Sequence, residues 1–392
     1  MKRSIARPNL LRYLPLIRVS QGACCQVACC LLTGLTVSAG GAIAAVAQDL
    51  APRVPMQLAQ NNLTPEQQAL EELLKEGKQQ VEAGNLRQAL SIYERAAQID
   101  RGNSRIFASI GYLQAQQGNY RAAVTAYEQA IALDEKNADF VYALGFSHAN
   151  LGNQPAAIRA YRQATILNPR HLNAYLSLGL LLSNNQDFEA AKQAYMQALR
   201  IDSRNTSARM GIGFILLEQD RPDDAINVLQ RATQFDNKSS RIPLGIGIAH
   251  LMKGDRPQAL RFFEQAARLD PRNAKLQVQI GKVFEEAGDV EQAIAVYQRA
   301  ILLDSQVGEA HQAIADAYVQ VRDYSSAIAA YREAVRLDPQ NADSWFGLGK
   351  VQRTQGRNRD AEDSLKKAKR LYQEQGKGDR AAEVEEILRL LK

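Results

Sequence analysis

The chain has 392 residues, of which 46% are hydrophobic, 23% charged and only 6% aromatic. Its formal charge of +6 is unevenly placed: Lys2, Arg3, Arg7, Arg12 and Arg18 precede residue 48 in a stretch without acids, leaving 43 basic against 42 acidic residues afterwards. That balance lacks the concentrated basic face of a nucleic-acid binder, and all four cysteines (Cys24, Cys25, Cys29 and Cys30) lie before residue 31, so the rest of the chain has neither disulfides nor thiolate metal sites.

Residues 1–47 run from basic to apolar to small, ending in Ala45-Val46-Ala47. This order is that of an export signal cut after Ala47. The uncharged run from Val19 to Gln48 is also long enough for an uncleaved membrane anchor, and a lipoprotein signal at Cys29 is disfavoured by the Gln26-Val27-Ala28 before it. In each case the basic end stays cytoplasmic and the remainder is carried across the membrane. Residues 48–63, with Pro52, Pro55, Gln57, Gln60, Asn61 and Asn62, read as a flexible linker. Thr64-Pro65-Glu66 then opens a helix, Thr64 as cap and Pro65 in the first turn.

From Leu70 to Gln375 a pattern recurs every 34 residues without insertion or deletion. Ala138–His171 displays it well. Val141, Leu144, Gly145 and His148 share one face of a first helix, Gly152-Asn153 breaks it, and Ala157, Tyr161 and Ala164 line a second helix. Ala157 recurs as alanine at 89, 123, 191, 225, 259, 293, 327 and 361, and Ala164 at 96, 130, 198, 232, 266, 300, 334 and 368. Gly145 recurs at 77, 111, 179, 213, 247, 281 and 349, with Ala315 as the one substitute. The Tyr161 place holds Tyr93, Tyr127, Tyr195, Tyr297 and Tyr331, with Phe263, Leu229 and Leu365 as variants. The units close on Leu-Asp-Pro (Leu269–Pro271, Leu337–Pro339) or Leu-Asn-Pro (Leu167–Pro169).

These places resemble the tetratricopeptide repeat (TPR) family. The resemblance implies an all-α, right-handed superhelical solenoid of nine helix-turn-helix repeats over residues 64–375. Two amphipathic helices this short cannot bury their faces alone, so neighbours supply the core. Asn85, Asn119, Asn153, Asp187, Asp255, Asp289 and Asp323 are expected to cap the second helices, with Arg221 and Arg357 as exceptions. The unit Thr206–Ser239 departs furthest from the pattern and is expected to be the softest joint. After Gln375 the step ends, and residues 376–392 form a capping helix with Ala381, Val384, Leu388 and Leu391 inward and Arg380, Glu383, Glu386 and Lys392 wet.

The resemblance also implies that first helices line an inner groove. On the face opposite the packing stripe stand Ala108 and Tyr112, Tyr142 and Phe146, Leu176 and Leu180, Met210, Phe214 and Leu217, then Leu244, Ile248, Leu251 and Met252. Because Leu144, Leu178, Ile212 and Ile246 already fill the packing places, this second stripe reads as surplus and hence as an exposed partner-binding surface. Its continuation is charged: Lys275, Lys282, Glu285, Glu286, Asp316, Lys350 and Arg353.

Gly211-Ile212-Gly213 and Gly245-Ile246-Gly247 follow no strand and sit inside first helices, so they read as helix-packing sites rather than nucleotide loops. His148 and His250 read as packing residues, and no nucleophile stands with a base. The expectation is therefore a non-enzymatic scaffold that binds a protein or peptide, without cofactor, metal or nucleic acid, touching a membrane only through its N-terminal segment. Exported or membrane-tethered arrays of this kind imply a role in envelope or membrane-complex assembly or secretion. A docking subunit of an enzyme such as a glycosyltransferase, and an assembly factor for photosynthetic membranes, stand as alternatives.

Overall fold

The structure, a computed structural model, describes residues 64–391. The expected signal or anchor (1–47) and linker (48–63) lie outside the described residues. Among the described residues there are nineteen helices and no strand, and none of the helices is long and apolar enough to cross a membrane.

The described chain divides into two compact units. The first comprises 64–219 and 231–236, the second 220–230 and 237–391. The first unit contains α1 (Pro65–Glu82), α2 (Leu86–Ile99), α3 (Ser104–Gln116), α4 (Tyr120–Leu133), α5 (Ala138–Asn150), α6 (Gln154–Leu167), α7 (Leu172–Asn184), α8 (Phe188–Ile201) and α9 (Thr206–Glu218). The division runs through α10 (Pro222–Thr233), inside the most divergent repeat. The second unit contains α11 (Arg241–Met252), α12 (Arg256–Leu269), α13 (Ala274–Glu286), α14 (Val290–Leu303), α15 (Gly308–Gln320), α16 (Tyr324–Leu337), α17 (Ala342–Thr354), α18 (Asn358–Glu374) and α19 (Gly378–Arg389). Odd-numbered helices up to α17 are the first helices of the repeats, and each even-numbered helix other than α10 packs on its predecessor and its successor.

The invariant small residues form the lattice. The nine alanines of the Ala157 series are wholly buried, and those of the Ala164 series are buried to within 1%. Each leaves room for a neighbouring backbone, and the aromatic of the second helix fills the space opposite the glycine. A Cβ placed on Gly145 would stand 2.8 Å from the Tyr161 ring, and one on Gly179 2.8 Å from Tyr195. The extra glycine Gly211 serves the same purpose: its Cβ would lie 2.4 Å from Tyr195. The helix-packing reading of Gly211-Ile212-Gly213 therefore holds at Gly211.

The break inside each repeat needs a left-handed residue. Positive φ recurs at the 34-residue step at Gly84, Gly118, Gly152, Gly254, Gly288 and Gly356, and at Gln186, Asp220 and Arg322 where glycine is missing. Around Gly152 the amide of Asn153 donates to the His148 carbonyl at 2.9 Å and that of Gly152 to Ala149 at 3.0 Å, a Schellman closure.

Asn153, Asp187, Asp255 and Asp323 cap their second helices as expected, each accepting from the amide three residues on. Asn85, Asn119 and Asp289 occupy the cap position without such a bond. Asn85 and Asn119 instead turn back and donate to Gln80 and Gln114 of the preceding helix, at 2.8 and 3.0 Å. First helices have their own caps, which the sequence reading passed over: Asn137, His171, Asn205, Asn273 and Asn341. Thr64 and Gln67 close the first helix as a reciprocal capping box.

At the far end α19 lays Ala381 and Val384 on a core of Ala342, Phe346, Leu365, Ala368, Leu371 and Tyr372, with Leu388 and Leu391 partly buried beside them.

Candidate partner-binding cleft

The expected apolar groove is not an open surface. Tyr142, Phe146, Leu176, Leu180, Met210, Phe214 and Leu217 are buried in the first unit, and Leu244, Ile248 and Leu251 in the second. Phe146 retains 6% of its exposure and Phe214 2%. Tyr112 is half-buried, packed on the cluster around Leu73, Tyr93 and Leu113. The correction has a steric cause. First helices in the middle repeats touch second helices on both sides and also the next first helix, as α3 touches α5 and α7 touches α9. A helix enclosed this way is apolar all round. Tyr142 accordingly sits 5.5 Å from the Tyr161 ring and 4.8 Å from His171, and Phe146 meets Tyr120 edge-on at 6.4 Å. These side chains are not surplus to the lattice; they complete it.

The charged continuation behaves differently. In repeat register Tyr112, Phe146, Leu180, Phe214 and Ile248 are followed by Lys282, Asp316 and Lys350. Here too α13 touches α15 and α15 touches α17, but charged side chains stand where hydrocarbon filled the space, and they keep contact with water. A cavity of about 400 Å³ opens there, lined by Lys282, Glu285 and Glu286 of α13 and by Glu309, Gln312, Ala313, Asp316 and Gln320 of α15. A second, of about 380 Å³, shares Gln312 and Asp316 and continues along Val319, Tyr331, Asp343, Phe346 and Lys350 to Arg380 and Glu383 of α19. Of the seven charged residues marked in the sequence, Lys275 and Arg353 line neither cavity.

Tyrosines of the second helices hold the carboxylates from behind. Tyr297 Oη donates to Glu285 Oε2 at 2.8 Å, and Gln320 Nε2 donates to the other oxygen of Glu285. Tyr331 Oη donates to Asp316, and Tyr372 Oη to Asp343. Lattice tyrosines therefore have a second task here, orienting acids. Burial pushes the Glu285 carboxyl above its usual range, opposed by the Tyr297 bond and reinforced by the charge of Asp316. Burial likewise raises Asp316, opposed by the Tyr331 bond and by Lys282. The Tyr331 hydroxyl is raised by burial and then by Asp316.

The cations have acidic company. Lys282 pairs with Glu309 across α13 and α15. Arg380 meets Asp343 at 3.4 Å and Glu383 at 2.6 Å, and lies over the rings of Phe346 and Tyr372. Arg380 is exposed, as expected of the wet face of the last helix, while its guanidinium lies over the buried rings of Phe346 and Tyr372. Lys350 also lies over Phe346, 5.1 Å from the ring centre.

The histidines are structural. His171 caps α7, with Nδ1 accepting from Ala174, and its Nε2 is 3.2 Å from Asp139. His250 stacks on Phe262, and burial holds His148 below its ordinary value. Among the described residues no group of three or more His, Cys, Asp or Glu could hold a metal ion.

Three family models match the chain: a tetratricopeptide repeat over 174–306, a second over 313–379, and a TPR repeat over 111–152. A search of curated proteins finds no match. A crystal structure of a tetratricopeptide repeat protein from Parabacteroides merdae is similar at 21% identity and a TM-score of 0.53, covering 63% of this chain and 98% of that one. Pseudomonas aeruginosa pilF is similar at 21% identity and 0.46, over 55% and 97%. Yeast Tom70 is similar at 11% and 0.47, over 83% and 96%. At these identities and scores the likeness to the Parabacteroides protein speaks to the fold, and the other two carry no further argument.

Proposed function

Since the chain is a tetratricopeptide-repeat protein, we propose that it is a protein-binding scaffold, carried across a membrane by its N-terminal segment, that holds a partner during envelope or membrane-complex assembly or secretion. Repeat arrays of this family are typically non-catalytic and bind proteins. The observation that supports the reading is the pair of joined cavities on the first helices of the last three repeats. There side chains leave the lattice open instead of completing it, and polar and ionic groups face a space large enough for peptide side chains. A photo-crosslinking residue placed at Lys350, which is exposed and lines the cleft, tests this in cells. One discrete adduct at 350, and none from Ile166 on a second helix with 69% exposure, is expected. Equal labelling from both places, or none from 350, refutes the scaffold reading at this cleft. Mass spectrometry of the native N-terminus tests export: a chain starting after Ala47 means a cut signal, whereas a Met1-containing chain in membranes means an anchor.

A further inference from the structure

A cleft of about 500 Å³ opens where the ends of the second helices α12 and α14 meet, and it shares no lining residue with the charged cavities. Ala267 and Pro271 form one side of it, Leu302 and Leu303 the other. Register separates the two leucines. The place of Leu303 holds Ile99, Leu133, Leu167, Ile201, Phe235, Leu269 and Leu337, an apolar residue in every unit, as a lattice contact does. The place of Leu302 holds Gln98, Ala132, Ile166, Arg200, Gln234, Arg268 and Arg336. The fold therefore does not require a leucine at 302, and that side chain is 86% exposed. Hydrocarbon that the lattice does not use, and that water covers, gains from burial against a partner. The rim carries two arginines, Arg268 of α12 and Arg299 of α14, against one carboxylate, Glu264. Arg268 and Glu264 form an exposed pair one turn apart at 3.8 Å, which water screens. Among the described residues Arg299 has no acidic partner. A guanidinium bonds a carboxylate through two parallel N–H groups, so an acidic segment satisfies Arg299 and shares Arg268, whereas a basic segment meets an unopposed charge. Ile166 supplies the contrast within the chain. It stands exposed at the same place, but Gln163 and Ala132 stand where Arg299 and Arg268 flank Leu302.

We propose that this cleft docks an acidic segment of a partner protein, with one leucine-sized side chain against Leu302 and flanking carboxylates on Arg299 and Arg268. The apolar anchor supplies the affinity, and the arginines select the charge of the segment around it. This second docking surface goes beyond the scaffold reading at the charged cleft.

The test uses the full chain and a short fluorescein-labelled peptide, one leucine flanked on each side by two aspartates, followed by anisotropy at low salt. Expected are measurable binding that weakens with rising salt, at least tenfold loss in Leu302→Ser and in Arg299→Gln, and no change in Ile166→Ser. All three side chains are exposed, so the variants keep the fold, which circular dichroism checks. A peptide with alanine in place of leucine, and one with lysines in place of aspartates, must each bind at least tenfold more weakly. No measurable binding, unchanged affinity in Leu302→Ser or Arg299→Gln, or equal affinity of either altered peptide overturns the assignment. Self-association of the chain, or its sedimentation with phosphatidylglycerol vesicles, overturns it too when Leu302→Ser abolishes that behaviour, since a second copy or a lipid surface is then the occupant. Loss of the crosslink at 350 with peptide binding intact removes the reading at the charged cleft alone, and the reverse result removes this docking surface alone.

Discussion

Gly281→Ala sets two physical effects of opposite sign against each other. Helix propensity alone says that alanine stabilises an interior helical position by about 1 kcal/mol over glycine. The structure says otherwise, because the new Cβ would stand 2.4 Å from Cε1 and 2.6 Å from Cδ1 of Tyr297. Carbon atoms settle at about 3.5–4.0 Å, so the ring must retreat by about 1 Å. Overpacking of that kind costs roughly 1–3 kcal/mol. The retreat also draws the tyrosine hydroxyl off Glu285, now 2.8 Å away, and a bond to a charged acceptor is worth about 1.5–3 kcal/mol. The expected net effect is destabilisation by roughly 1.5–5 kcal/mol, localised to α13 and α14. Because repeat arrays unfold in parts, hydrogen exchange of the α13 and α14 amides is the suitable assay. Unchanged or slower exchange would mean that propensity wins and that the glycine–tyrosine fit is not what holds the repeat. Ala315 shows how the chain tolerates alanine at the same register. There the Tyr331 ring lies against Gly347 on the next first helix, where a Cβ would be 2.4 Å from Cζ. At the place before Gly347 in register stands Ala313, so Tyr297 has no such relief and depends on Gly281.

The remaining expectations use other features of the same lattice. Gln186 and Arg322 occupy the left-handed turn position with φ of 63°, so Gln186→Gly and Arg322→Gly should each stabilise their repeat by about 0.5–1 kcal/mol, read by urea unfolding; destabilisation would contradict the turn argument. Phe214→Asp should unfold its repeat, losing the helical signal at 222 nm locally and raising protease sensitivity, since it buries a charge where the phenylalanine keeps 2% exposure; a stable variant would restore the open-groove reading. Burial raises Glu285 and Asp316 in the folded state, so their protonated forms favour folding at low pH. Their contribution should fall away as pH rises from the ordinary carboxylate value through each raised one, and Glu285→Gln/Asp316→Asn should flatten that part of the pH–stability curve; an unchanged curve would refute it. His171→Ala should cost about 1 kcal/mol through loss of the α7 cap, measured by exchange of the first amides of α7.

The repeat was legible in the sequence because it depends on contacts at constant offsets. Alanine at 157 and 164 and glycine at 145 answer to the same neighbours in every unit, so the pattern in one dimension repeats the geometry in three. The cap helix was legible for a similar reason, since Ala381 and Val384 follow helix spacing. The groove was misread because exposure is not a local property. Phe146 and Phe214 look surplus when one helix is considered against its partner, and only the arrival of the next repeat encloses them. Charge carried the opposite lesson. Lys282, Asp316 and Lys350 were recognisable as a change of chemistry in a fixed register, yet the sequence could not say that Tyr297 and Tyr331 turn their hydroxyls onto Glu285 and Asp316, or that Arg380, still exposed, lies over the Phe346 ring. Those contacts span 12 to 34 residues and depend on the angle between packed helices. Sequence alone determined the lattice, which is set by steric fit at short range; tertiary structure decided where cavities remain, because that depends on which charges the first helices of three successive repeats bring together.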